Sequence, residues 1–217
     1  MNRRIFDDHE TLSRAAARAI LQSGAKSIAV TGGSTPKRLY ELLAEQLPQD
    51  VTWVLVDERY VPLTDPQSNA AMVERTLFRD GVPERWLRFD TSFRDAAQTV
   101  RVFEEEWRKL GLAALDLVLL GCGDDGHTAS LFPGTEALDA QGIATGVYVP
   151  RLGQWRVTLT LPVIRAAKSR MVLASGESKA PIIREIREGA DYPVVRATAG
   201  VDSWWFVDRA AVGAPVS

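Results

Sequence analysis

The stretch LDLVLLGCGDDGHTASLFP, at residues 115–133, decides the predicted fold. Its first six residues are apolar apart from Asp116, and so short a run of branched residues is typical of a strand buried on both faces. The glycines that follow allow a sharp turn, and residues 128–131 are predicted to begin a helix. A buried strand that ends in such a turn is typical of an open α/β sheet, which binds its ligands beyond the carboxyl ends of the strands.

The turn itself brings His127 to the carboxyl end of this strand, next to Asp124 and Asp125. Two carboxylates inside the turn would repel a pyrophosphate, and the acidic residue expected about 20 positions further on in a dinucleotide site is missing. We therefore interpret the turn as a site for a catalytic or binding histidine and not as a nucleotide site. It nevertheless matches the dinucleotide pattern GxGxxG, at Gly121, Gly123 and Gly126.

A second polar turn lies upstream, where GGSTP follows the predicted strand SIAVT at residues 27–31. A helix is predicted from Pro36 to about Leu47, and proline suits its first position. A strand, a glycine pair, hydroxyl groups and then a helix present free amides to an anion. The alternative is a plain N-cap, for which one hydroxyl would suffice. We favour an anion site at Gly33, Ser34 and Thr35.

A third polar cluster, Asp57-Glu58-Arg59, follows the buried strand VTWVLV at residues 51–56. Alone it could be a solvated loop. Three successive strands with polar clusters at the same edge favour a shared site. Downstream, a helix is predicted to begin at residues 68–69.

The other segments complete an alternation of strands and helices. Helices are predicted over residues 7–22 and 95–110, and the alternating strand WRVTLTL at residues 155–161 is predicted to be an antiparallel addition. Later strands are predicted at 170–174, 194–195 and 203–207. This order predicts an α/β fold, with a doubly wound, mainly parallel sheet, helices on both faces and a small antiparallel addition, as a single domain over residues 1–217.

Composition limits the classes of function. A net charge of −2 gives no basic surface for nucleic acid or for a membrane. One cysteine, Cys122, excludes an internal disulfide, and two histidines disfavour a zinc site. The N-terminus MNRRIFDDHE has no apolar core of a secretory signal, and His9 is expected to be an exposed surface residue. A cytoplasmic protein is expected, with an oligomeric state that the sequence leaves open.

The chain resembles the 6-phosphogluconolactonase family, and more distantly the glucosamine-6-phosphate deaminases. The resemblance spans nearly the whole chain. The deaminases diverge after DGH and have DEY where this chain has Arg59. The family normally has methionine at the position of Cys122, and the position of Asp124 varies. The matching motifs are TGGSTP at 31–36, DERYVP at 57–62 with Ser68-Asn69 following, LGCGDDGHTASLFPG at 120–134, RVTLTLP at 156–162 and GESKA at 176–180.

The resemblance implies hydrolysis of 6-phospho-D-glucono-1,5-lactone to 6-phosphogluconate in the pentose phosphate pathway, without a metal or organic cofactor. Such an ester needs an activated water, and an imidazole is suited to act as its general base. We assign that role to His127, with either Asp125 or Asp57 orienting the ring or the water. The alternative is a structural, capping histidine.

A binding site for the phosphate group of this substrate needs backbone amides and cationic side chains. Gly33, Ser34 and Thr35 are assigned as the cradle, with Arg156 and Lys179 as charge partners. Arg59 is assigned to the phosphate or to sugar hydroxyls. For Arg156 and Lys179, solvent exposure is the alternative, and the resemblance favours binding. Cys122 has no neighbouring cation in sequence to activate it, so packing is favoured over a nucleophile.

Two other functions remain open at this point. The first is an amino-sugar-phosphate deaminase or isomerase in which Asp57 moves a proton and His127 opens the ring. The second is a non-catalytic sugar-phosphate sensor. Because such a sensor needs a DNA-binding segment, and the N-terminus is expected to lead directly into the first helix, the sensor is disfavoured.

Overall fold

The computed structural model describes residues 2–200 and 202–213. None of the helices in this described part combines the length and hydrophobicity needed to span a bilayer. Its strands, in chain order, are β1 (Asn2–Phe6), β2 (Ser27–Val30), β3 (Thr52–Leu55), β4 (Asp57–Arg59), β5 (Trp86–Leu87), β6 (Leu117–Gly121), β7 (Ala144–Val149), β8 (Gln154–Leu159), β9 (Ser169–Ala174) and β10 (Ser203–Asp208). Its helices are α1 (His9–Ser23), α2 (Thr35–Ala44), α3 (Asn69–Thr76), α4 (Ala96–Lys109), α5 (Leu161–Ala166), α6 (Ala180–Arg187), α7 (Pro193–Thr198) and α8 (Arg209–Val212).

Seven of the strands in the described residues form one sheet, in the order β1-β10-β9-β6-β2-β3-β5. All of its pairings are parallel. Every residue of β2 and β3 is buried, which requires cover on both faces of the sheet. The predicted doubly wound, mainly parallel α/β sheet is confirmed.

The direction of winding reverses between β2 and β6. From β2 the sheet extends through β3 to β5, and from β6 it extends through β9 and β10 to β1. Loops that leave β2 and β6 at their carboxyl ends therefore diverge and leave a crevice between them. The glycine turns that follow these two strands both border this crevice.

The remaining three strands of the described chain form a small antiparallel sheet in the order β4-β8-β7. The antiparallel addition predicted around residues 155–161 is therefore confirmed, and β4 joins it because Asp57 pairs with Thr158 and Arg59 with Arg156. This sheet packs against α4, where Tyr60 shares a hydrogen bond with Thr99 Oγ1 at 3.1 Å. It places the charged DER segment beside the crevice.

Three local predictions are wrong. Residues 128–131 begin no helix, because Ala129 lies in the left-handed region at φ +52°, where a helix cannot propagate. Residues 194–195 lie in α7, which Pro193 begins, and not in a strand. The chain does not lead directly into α1, because β1 precedes it; this edge strand is mostly exposed and so shows no pattern of burial in its sequence.

Candidate active site

The crevice holds a cavity of about 230 Å³. Its walls come from both glycine turns, from the DER strand, from the start of α3 and from the segment after β9. These elements are distant in sequence but meet at the carboxyl edge of the large sheet. Every residue assigned to a site from the sequence, apart from Asp125, lines the cavity: Gly33, Ser34, Thr35, Asp57, Arg59, His127, Arg156 and Lys179.

The turn after β2 forms one wall. Gly33 has φ +98°, a conformation that favours glycine. A Cβ on Gly32 would lie 1.8 Å from Asn69 Oδ1, so the backbone approaches α3 more closely than any side chain allows. The Ser34 side chain makes no capping bond to α2, which disfavours the plain N-cap interpretation. This geometry leaves a hydroxyl beside a helix N-terminus, a favourable place for an anion.

His9 also contacts this wall. The sequence predicts an exposed surface residue here, but His9 is half-buried and its Nε2 lies 2.8 Å from the carbonyl oxygen of Thr35. That expectation was wrong because α1 packs beside α2, a tertiary contact that the sequence of α1 does not reveal.

A pair of guanidinium groups forms the opposite wall. Arg59 and Arg156 are register partners on β4 and β8, and the Nε atom of each is buried with no hydrogen-bond partner among the described residues. Burial lowers the pKa of Arg156, the charge of Asp57 opposes that effect, and the charge of Arg59 adds to it. Like charges placed directly opposite each other on a sheet are destabilising, so this arrangement is suited to an anion that neutralises both.

Lys179 approaches from the 3₁₀ turn Glu177–Lys179 that follows β9. Its side chain is only 18% exposed, and its Nζ lies 2.6 Å from Oδ1 of Asp124, which is 69% exposed. The cation is therefore held at the cavity by a carboxylate that lies largely in solvent.

His127 lines the cavity because the turn after β6 makes space for its ring. A Cβ on Gly123 would lie 2.0 Å from His127 Nδ1. Gly126, at φ +75°, could not carry a Cβ without striking the ring of Tyr192 at 2.4 Å. The turn closes with a hydrogen bond from the Gly123 amide to the His127 carbonyl oxygen, at 2.8 Å.

Asp125 and Phe132 hold the imidazole. Nδ1 of His127 is hydrogen-bonded to Oδ1 of Asp125, and the ring stacks on Phe132 with centroids 4.2 Å apart. Burial acts to raise the pKa of Asp125, but the hydrogen bond and charge of His127, together with the charge of Arg151, lower it to about 2. An ionised carboxylate at Nδ1 fixes the tautomer and leaves the lone pair on Nε2.

Asp57 is placed differently. It is 4% exposed, and its Oδ2 accepts a hydrogen bond from Ser130 Oγ at 2.7 Å. The side-chain nitrogen Nδ2 of Asn69 donates a hydrogen bond to the backbone carbonyl oxygen of Asp57 at 2.9 Å. Of the two carboxylates considered from the sequence, Asp125 therefore contacts the imidazole directly, whereas Asp57 is fixed by Ser130 and Asn69 on the cavity wall.

The contacts of Glu58 and the burial of Cys122 are typical of residues with a structural role. The Glu58 carboxylate accepts hydrogen bonds from the amides of Asn69 at 2.7 Å and Ala70 at 2.8 Å, so it caps α3. Burial raises the pKa of the Cys122 thiol to about 12, although the charge of Lys179 opposes it. A thiol of this kind is unreactive, which supports packing as the role of Cys122.

Sequence reasoning missed four residues that support the site: Asn69, Ser130, Phe132 and Arg151. The first three lie in or beside the quoted motifs, but their partners are 12, 73 and 5 positions away. Arg151 lies in a loop between two strands and gives no local signal of its contact with Asp125.

The fold and the cavity define a class: a doubly wound α/β protein with an imidazole–carboxylate pair at the switch point and a cluster of cationic groups beside it. The chain belongs to the family described as glucosamine-6-phosphate isomerases/6-phosphogluconolactonase, whose sequence model matches residues 7–205.

Similarities to individual proteins support this assignment. The 6-phosphogluconolactonase of a Nostoc species is 39% identical over 216 residues, which cover 92% of this chain and 88% of the relative. The crystal structure of 6-phosphogluconolactonase from Thermotoga maritima superposes with a TM-score of 0.87 at 27% identity, covering 96% of this chain and 99% of that one. A monomeric glucosamine-6-phosphate deaminase shares the fold, with a TM-score of 0.83 at 24% identity and coverage of 98% and 99%.

Proposed function

We propose that this chain, acting as one domain, hydrolyses 6-phospho-D-glucono-1,5-lactone to 6-phosphogluconate in the oxidative pentose phosphate pathway. One observation carries the proposal: His127, hydrogen-bonded to Asp125, lines the same cavity as Arg59 and Arg156, whose Nε atoms are buried without a partner among the described residues. The relatives named 6-phosphogluconolactonase, which match nearly the whole chain, support the choice of substrate.

In the proposed reaction His127 is the general base. Nε2 takes a proton from water as the water oxygen bonds to the lactone carbonyl carbon, whose oxygen becomes an oxyanion. When the carbonyl reforms, the bond to the ring oxygen breaks and Nε2 returns the proton to that oxygen. Asp125, hydrogen-bonded at Nδ1, stabilises the imidazolium between the two steps.

The phosphate is proposed to bind opposite His127. The amides and hydroxyls of Gly33, Ser34 and Thr35 would receive its oxygens at the N-terminus of α2. Arg59, Arg156 and Lys179 would neutralise its charge. Binding would supply the partner that the two buried Nε atoms lack within the described part of the chain, so the charge of the free site favours an anionic substrate over a neutral sugar.

The site needs only a small-molecule substrate, and we propose that the protein acts in the cytoplasm without a nucleic-acid partner. The lone cysteine fits a reducing compartment. A monomer would suffice, since every assigned residue comes from one chain.

A coupled assay of 6-phosphogluconate formation, corrected for spontaneous opening of the lactone, tests the proposal. His127→Ala should lower kcat by about two to four orders of magnitude, with circular dichroism and thermal unfolding like those of the wild type. Turnover at the wild-type rate in this variant would refute the role of His127.

Two further measurements distinguish the rival functions. A deaminase would release ammonia from glucosamine 6-phosphate, for which the buried carboxylate of Asp57 on the cavity wall would be the proton carrier. A sensor would bind 6-phosphogluconate in calorimetry but turn over neither compound. Either result would replace the lactonase proposal.

A further inference from the structure

Arg151 lies in the 3₁₀ turn Pro150–Leu152 that joins β7 to β8. Its Nη2 atom reaches Oδ2 of Asp125 at 2.5 Å, and its guanidinium lies over the ring of Phe132, 5.0 Å from the centroid. The side chain is 52% exposed, but these two contacts come from residues 26 and 19 positions away and hold it in one orientation.

Both of its contacts are shared with His127. Asp125 uses Oδ1 for the imidazole and Oδ2 for the guanidinium. Phe132 stacks on the imidazole and also lies under the guanidinium. The carboxylate is therefore held at both oxygens, and rotation of its side chain would break a contact on each side.

We propose that Arg151 is a positioning residue for the hydrolysis proposed above, acting through Asp125 to keep its carboxylate in line with Nδ1 of His127. This inference rests on the proposed function. Asp125 is partly exposed, so water would compete for its oxygens without a second fixed partner. A bidentate-capable cation is suited to exclude that competition.

Arg156 provides a contrast within the same hairpin. It also lies over Phe132, at 5.4 Å, but it lines the cavity and its Nε is buried without a partner in the described chain. Arg151 is not among the described residues that line the cavity, and it forms an ion pair with Asp125. Arg156 is thus placed to contact the substrate, and Arg151 is placed to orient the Asp125–His127 pair.

A double-mutant cycle tests this arrangement. Arg151→Gln should lower kcat about tenfold or more, as expected for a small displacement of a catalytic group, with KM within about twofold of the wild type. In an Asp125→Ala background the same substitution should have no further effect on kcat. Arg151→Lys should restore part of the loss, and Leu152→Ala, in the same turn, is the matched control.

Two results would overturn the inference. A raised KM with unchanged kcat would make Arg151 a substrate-binding residue. A tenfold loss that persists in the Asp125→Ala background would show that Arg151 does not act through that carboxylate.

A spectroscopic measurement keeps the inference independent of turnover. The method is proton NMR. The chain has two histidines, so in a His9→Gln background the Nδ1 proton of His127 gives the only imidazole N–H signal. Arg151→Gln should broaden this signal or move it upfield as the bond to Asp125 loosens, whereas Leu152→Ala should not. An unchanged signal refutes the inference. Absence of lactonase activity in the wild type would instead refute the proposed function.

Discussion

Arg59 and Arg156 oppose each other directly on neighbouring antiparallel strands, and in the described chain the Nε atom of each is buried without a hydrogen-bond partner. The free protein thus maintains a local repulsion and two desolvated donors, both of which are unfavourable for folding. A bound anion would relieve both, which would link the packing of the small sheet to the proposed binding of substrate.

The first prediction concerns Arg156→Met, which keeps the aliphatic volume and removes the charge. KM for the lactone should rise about ten- to a hundredfold, because a charge-assisted hydrogen bond contributes about 1.5–3 kcal/mol. The Tm of the free protein should stay equal or rise, since a repulsion is removed. Steady-state kinetics and thermal unfolding provide the measurements.

Inorganic phosphate gives a second readout of the same variant. It should raise the Tm of the wild type by an amount that grows with the logarithm of 1 + [phosphate]/Kd, and this shift should shrink in Arg156→Met. Arg196→Met, an exposed arginine paired with Asp191, is the matched control. If KM and the phosphate-induced shift both matched the wild type, Arg156 would have no part in anion binding.

The second prediction concerns Gly123→Ala. The added Cβ would lie 2.0 Å from His127 Nδ1 and 2.8 Å from Asp125 Oδ1, so the imidazole must move away from its carboxylate. We expect kcat to fall about a hundredfold, the scale expected for displacing a catalytic group by about 1 Å. Steady-state kinetics measures the loss.

Gly24→Ala controls for destabilisation alone. Gly24 ends α1 at φ +65° with open space around its Cα, so the substitution should cost about 1 kcal/mol of stability and leave kcat unchanged. Equal kcat in Gly123→Ala and the wild type would mean that the turn tolerates a side chain there.

The sequence predicts those parts of the site that depend on local patterns of residues. The strands β2, β3 and β6 were predictable because their apolar runs are continuous, and the glycine turns after β2 and β6 because the pattern is local. These features suffice to place Ser34 and His127 at one edge of the sheet. Motif resemblance added Arg156 and Lys179, whose positions in the sequence give no independent signal.

Other features depend on tertiary contacts and were not predictable. The segment Thr-Ala-Ser-Leu at residues 128–131 favours a helix start, but Ala129 takes a positive φ in the turn that brings Ser130 to Asp57 on another strand. Arg151 lies in an exposed turn, 26 positions from Asp125. The choice between Asp125 and Asp57 as the partner of the imidazole likewise required coordinates, since both follow a strand.

The third prediction concerns acid stability. The pKa of Asp125, about 2 in the folded protein, lies below the value of about 3.9 for an unfolded aspartate. The unfolded state therefore binds more protons in this window, and the contribution of Asp125 is present above about pH 4 and lost as the pH falls towards 2. Asp125→Asn should show a smaller loss of Tm than the wild type between pH 4 and 2.

Other carboxylates titrate in both proteins, so the difference between the two curves isolates Asp125. Asp80→Asn, at an 83% exposed side chain, should follow the wild-type curve. Parallel curves for Asp125→Asn and the wild type would contradict the lowered pKa.

The fourth prediction concerns Asp124, whose carboxylate lies 2.6 Å from Lys179 Nζ. In the proposed reaction this carboxylate competes with the substrate phosphate for the cation. Asp124→Asn should therefore lower KM, by at most about fivefold because an exposed ion pair contributes no more than about 1 kcal/mol. Lys179→Ala should raise KM, and in that background Asp124→Asn should have no further effect, because the cation with which Asp124 pairs is gone.

Steady-state kinetics at low and high salt measures both effects on KM, with Asp80→Asn as the control for net charge. A KM that falls equally in Asp80→Asn would assign the change to long-range charge, and an unchanged KM in Asp124→Asn would show that the phosphate and Asp124 do not compete for Lys179.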